Sequence, residues 1–129
     1  AEIAAKGAKE VTYHAERSSD WVIRLGDGTD ESHRRMQAAI DELWRYAGEI
    51  FVPDTAETEL AAAGIVPDVR ALQASWDAAV DAVLAEATLV RPPAGYVQKG
   101  GKQGRHTEHL GHLLAEMQFL QRAYPDARW

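Results

Sequence analysis

The chain contains no cysteine. Disulfides, iron–sulfur clusters and thiol nucleophiles are excluded with it, and a reducing cytoplasm is the default expectation. Long apolar runs are missing too. Nothing approaches the roughly 20 consecutive residues needed to span a bilayer, and no secretory leader is visible. Positive charge is in the minority: 14 Lys and Arg against 20 Asp and Glu give a formal charge of −6. That argues against nucleic acid and against an anionic membrane as partners, since both reward cationic surfaces. There is no strand-like alternation, no internal repeat and no low-complexity tract. The glycines of "KGGKQG" lack the preceding strand and the spacing of a phosphate-binding loop, and the histidines do not fall in the His-Glu-x-x-His pattern of zinc proteases. No Ser-His-Asp arrangement can be inferred.

What is there is helical periodicity. With 129 residues, 46% apolar and 26% charged, the chain has the material for one domain with a core of its own. Four apolar patterns recurring every three to four residues predict an all-α protein of four main helices. The first covers about Glu2 to Arg24, with the stripe Ala4, Ala8, Val11, Ala15, Ser18, Val22, Leu25. Gly26 is expected as a left-handed cap, and Thr29 or Asp30 as the N-cap of the next helix. That second helix is predicted from about Glu31 to Phe51 and is stopped by Pro53. "ETELAAAG" reads as a short helical turn ending at Gly64. Asp68 caps a third main helix over about Val69 to Leu89, with Val69, Leu72, Trp76, Val80, Val83 and Ala87 facing inward. The fourth is predicted from about His106 to Tyr124, along the stripe Leu110, Leu113, Met117, Leu120 and Tyr124. Gly111, inside it, suggests a tight helix crossing. Between the last two main helices lies "PPAGYVQKGGKQGR", longer than the two to eight residues usual in bundles, so it is either mobile or positioned against something. The chain opens on "AEIAAKGAKE", without Met and already helical in character, as expected of a piece of a longer protein.

Two constellations carry candidate chemistry. In "KEVTYH", Glu10 and His14 stand one helical turn apart, close to the Glu-x-x-His pair with which bundle helices hold a di-iron centre. Laid over that pattern, His14 takes the histidine position, Glu10 the acid that precedes the ligand, and Val11 the position of the ligand carboxylate itself. A valine cannot bind iron but can pack. The expectation is therefore a structural helix with His14 at the core's edge. A rearranged site through Glu10 and His14 would need carboxylates from other helices. In "RHTEHLGHLLAE", His109, His112 and Glu116 fall on one helical face, a legitimate ligand geometry. The blander reading is a polar contact surface. Lys99, Lys102 and Arg105 could hold an anion beside the helix start.

"AAKGAKEVTYH", "RLGDGTDESHRRMQAAIDELWRY", "GGKQGRHTEHLGHLLAEMQFLQRAYP" and the terminal Trp129 together resemble the C-terminal half of the PaaC subunits of bacterial phenylacetyl-CoA 1,2-epoxidases. These are multicomponent monooxygenases of phenylacetate degradation. The resemblance covers essentially the whole chain and is most specific from "GGK" through "HTEHLG" to "LAEMQ". It implies that residues 1–129 form a single helical domain, the C-terminal part of a longer ferritin-like subunit. It also implies that a related catalytic subunit carries the di-iron centre and epoxidises the ring, while PaaC-like subunits keep the fold without the ligands and support that partner. Electrons would come from a separate reductase, so no cofactor and no catalytic residue are expected here. Lys102, Arg105, His106, His109 and His112 are the candidate partner contacts. A bundle helix without its neighbours exposes an apolar stripe, so a homo-oligomer is expected in isolation.

Overall fold

A computed structural model describes residues 2–128; Trp129, part of the resemblance, lies outside the described residues. All the regular elements among the described residues are helical, and none of these residues forms a strand. The α-helices are α1 (Glu2–Gly26), α2 (Asp30–Leu43), α3 (Thr55–Ala62), α4 (Gln73–Glu86) and α5 (Glu108–Ala123). Packing divides the chain into two compact units, Ala1–Gln98 and Lys99–Trp129.

Local chemistry explains most of the boundaries. The Thr29 hydroxyl caps α2 by accepting the Ser32 N–H at 3.2 Å, and Asp30 and Glu31 sit in the first turn, at the positive end of its dipole. α3 opens with a reciprocal capping box: Glu57 N–H donates to the Asp54 carboxylate at 2.7 Å, and Asp54 N–H donates to the Glu57 carboxylate at 2.9 Å. It closes at Gly64, whose φ of +69° admits the double bond of a Schellman turn, Ile65 N–H to Leu60 O and Gly64 N–H to Ala61 O, both 3.0 Å.

Elsewhere tertiary contact overrides the periodic reading. α2 stops at Leu43, and two 3₁₀ turns, Trp44–Tyr46 and Gly48–Phe51, replace the predicted continuation. Val97 packs against Gly48 so closely that a Cβ there would lie 2.9 Å from Val97 Cγ1. The third main helix begins as a 3₁₀ turn, Val69–Leu72, with the Asp68 carboxylate accepting the Arg70 N–H at 2.9 Å, and α4 then runs only to Glu86. Its end is a second Schellman turn, Leu89 N–H to Leu84 O at 2.9 Å and Thr88 N–H to Ala85 O at 3.2 Å. The left-handed residue is Thr88, at φ +59°. Gly26 is not the left-handed cap predicted for it. It is the last helical residue of α1 and is buried, and its missing Cβ makes room for Ala87 and Leu89.

The core of the first unit is small. Leu84, Ala87 and Leu89 are buried, with Val22, Ile23, Met36, Ile40, Trp44 and Val80 packed around them. Residues 2–18 of α1 are all exposed. Of the stripe predicted on that helix, only Val22 packs on the core, because no other element of the unit lies opposite the upper turns. A one-sided apolar stripe needs a facing layer to become a core. In the second unit, "GGKQGR" forms a tight turn, with Arg105 N–H donating to Gly100 O at 2.8 Å, and leads to α5. Leu113, Met117, Leu120 and Tyr124 of the predicted stripe are exposed. A tight crossing is predicted at Gly111, and within the second unit nothing lies within 4 Å of where its Cβ would be.

Candidate functional site

α1 places Glu10 and His14 four residues apart, with Val11 between them. Val11 does not pack as predicted. It is 65% exposed, and His14 is exposed rather than at the core's edge. The reason is the one that leaves the whole upper helix bare: its facing layer is not in this unit. The His14 ring meets Tyr13 edge-on, with centroids 5.9 Å apart. The Ser18 hydroxyl donates to the His14 carbonyl at 2.7 Å, and the Thr12 hydroxyl to Ala8 O at 2.9 Å. These bonds turn small polar side chains back onto their own helix. Val11, where the Glu-x-x-His pattern calls for a carboxylate, is aliphatic and offers no lone pair to a metal.

α5 carries His109, His112 and Glu116, all exposed. His106 lies before the helix, which starts at Glu108 behind its N-cap Thr107 and so two residues after the start predicted for it. Lys102 and Arg105 belong to the glycine turn. Among the described residues, no group of three or more His, Asp or Glu side chains is placed to hold a metal ion.

The most developed constellation is one that periodicity did not flag. The residues after α4 are fastened across the first unit. The Gln37 side-chain amide grips Val90 at both backbone atoms, accepting its N–H at 2.8 Å and donating to its carbonyl at 2.9 Å. Arg91 lies over the rings of Trp44 and Trp76, at 5.0 and 6.0 Å from their centroids. It pairs with Asp77 and, at 2.7 Å, with Asp81. Those carboxylates, Asp77 first, hold its pKa above the ordinary guanidinium value. Trp76 also meets Phe51 edge-on at 5.3 Å. Gln98 N–H then donates to Arg45 O at 2.8 Å. The first half of the long loop is thus positioned against the rest of the first unit. Beside it runs an open groove of about 650 Å3, lined among others by Trp44, Phe51, Trp76, Arg91 and Tyr96. The available signal was "RPP", an arginine next to a stiff dipeptide, downstream of two acids one turn apart on α4. A second groove, of about 410 Å3, lies between α1, α2 and α4.

The long helix with its bare inward stripe, docked by its lower end on a helical layer, defines a protein of the helical-bundle class. Residues 1–129 match the family described as phenylacetic acid catabolic protein, and the chain belongs to that family, whose fold is a ferritin-like bundle. It is 49% identical over 129 residues to the C subunit of the 1,2-phenylacetyl-CoA epoxidase of Escherichia coli (strain K12). That alignment takes in 100% of this chain and 52% of the relative, so the chain spans about half the length of the curated relative it matches.

Proposed function

We propose that this chain is the C-terminal part of a longer ferritin-like subunit that serves a cytoplasmic phenylacetyl-CoA epoxidase as a non-catalytic structural component. In this reading it pairs with the di-iron catalytic subunit and brings neither cofactor nor catalytic residue of its own. The observation that carries the reading is Val11. The chain keeps the long helix and the flanking Glu10 and His14, yet stands an alkyl group where the ligand carboxylate would be, in a sequence 49% identical to the Escherichia coli relative. The bare upper half of α1 supports a longer subunit, because an apolar stripe of that length is stable in water only against a partner. In isolation the 129-residue chain uses another copy of itself for that purpose and forms a homo-oligomer. Lys102, Arg105, His106, His109 and His112 contribute to contacts between subunits.

Elemental analysis of the purified full-length subunit tests the first claim. Stoichiometric iron that is lost on Glu10→Ala or His14→Ala would overturn it. Co-purification tests the second: the subunit should form a stable heteromer with the catalytic subunit, and the triple change Lys102→Ala, His109→Ala, His112→Ala should weaken it.

A further inference from the structure

After α4 the chain leaves the core in a single step. Leu89 is 7% exposed and Val90 70%, just beyond the left-handed Thr88. From Val90 to Gln98 no residue is buried. The segment is held by polar contacts at its two ends instead. Val90 bonds the Gln37 side chain, and Arg91 bonds Asp77 and Asp81. At the far end Gln98 N–H bonds Arg45 O. Residues 92–96, between these fastenings, line the larger groove. Among the described residues they make no hydrogen bond to any other part of the first unit outside this segment. A segment with exposed hydrogen bonds and few buried apolar contacts opens at a lower free energy than the whole protein unfolds. Pro92 and Pro93 each fix φ near −65°, so a short rod leads away from Arg91. Once Arg91 leaves its carboxylates, the swing of that rod loads the bond at Gln98.

We propose that residues 90–98 are a strap that opens and closes over the aromatic groove as one cooperative unit while the core stays folded, with Leu89 as its fixed end and Arg91 as its latch. Closed, the Arg91 guanidinium covers Trp44 and Trp76. Open, it leaves both indoles and the carboxylates of Asp77 and Asp81 facing solvent, and the groove loses the wall that residues 92–96 supply. The strap ends at Gln98, the last residue of the first unit, so opening also frees the chain that leads into the second.

Native-state hydrogen exchange of the full-length subunit, read amide by amide at low urea concentrations, tests the strap. Val90 and Gln98 N–H are expected to share one opening constant and one shallow urea slope. Leu89 N–H, which bonds Leu84 O at 2.9 Å, is expected to exchange at least about tenfold more slowly and with a steeper slope, because its opening exposes the core. Arg91→Ala removes the latch. It should speed exchange at Gln98 about tenfold, by the same factor as at Val90, although the bond from Gln98 to Arg45 O is itself untouched. Different slopes at Val90 and Gln98, or acceleration at Val90 alone, mean two independent fluctuations and overturn the strap. Exchange of both amides at the slope of Leu89 overturns it as well, since the segment then opens only when the core does. The slopes of the unaltered subunit decide between these outcomes even if Arg91→Ala fails to fold.

Discussion

Adding one methyl group at Gly26 tests the packing on which the first unit depends. A Cβ built there lies 2.5 Å from Ala87 O, 2.8 Å from Ala87 Cβ and 2.9 Å from Leu89 Cδ1. Two of those atoms cannot rotate away, because a backbone carbonyl and a Cβ move only with the chain. Carbon contacts settle near 3.5–4.0 Å, so α1 and the end of α4 must part by about 1 Å, opening the contact around Ala87 and Leu89. Overpacking of this kind costs about 1–3 kcal/mol, and the backbone clash puts Gly26→Ala toward the top of that range. Against it stands a helix-propensity gain of at most about 1 kcal/mol. The expected outcome is a net loss of about 1–2 kcal/mol, or a urea midpoint lower by about 1 M at the slopes usual for small domains, read by far-UV circular dichroism. Gly7→Ala is the control. It lies in the same helix with nothing within 4 Å of its Cβ, so propensity acts alone and the change stabilises by up to about 1 kcal/mol. If both substitutions shift the midpoint upward, the close approach of α1 and α4 is refuted.

Thr88→Gly should raise the melting temperature. A β-branched residue at φ +59° carries left-handed strain of roughly 1–2 kcal/mol. The hydroxyl that the change removes reaches Gly26 O only at 3.5 Å, the outer limit of a hydrogen bond. Arg91→Lys should destabilise the first unit by about 1 kcal/mol despite keeping the charge, because an ammonium cannot stack on two indoles while bonding Asp77 and Asp81. Solvent screening keeps the loss that small, since the side chain is 35% exposed, and a red shift of tryptophan emission is the second readout. The Asp68 carboxyl should titrate below its usual range in an NMR pH series, because its hydrogen bonds from Arg70 lower its pKa. A depressed acid adds stability above its unfolded pKa and loses it as pH falls through the folded value, so Asp68→Asn should lower stability at neutral pH and flatten the acid limb, the two proteins converging at low pH.

The helices were legible because period, caps and breakers agree along most of the chain: Thr29, Gly64 and Asp68 all act locally, and their effect can be read from neighbours in sequence. Gly26 and Thr88 were not legible, since each has the other's expected role. A glycine at a helix end ordinarily marks a left-handed turn, but here it marks a close approach, and that distinction depends on Ala87, some sixty positions away. The 3₁₀ turns after Leu43 escaped for the same reason, being shaped around Val97 and Trp76. At the candidate ligand helix the spacing of Glu10 and His14 and the identity of Val11 could be read directly. Their exposure could not, because an apolar stripe looks the same whether or not its facing layer lies in the same stretch of chain.

The bare upper turns of α1 have a consequence for how selection sees this helix. In the first unit, substitutions across residues 2–18 change surface, whereas those near residues 22–26 change packing. On the proposed role in a phenylacetyl-CoA epoxidase, a library of variants sorted for folding of the chain and one sorted for growth on phenylacetate would agree about the lower end of α1 and disagree about the upper. The position at which the two maps diverge would mark, on one continuous helix, the border between what the chain needs for itself and what it offers to others.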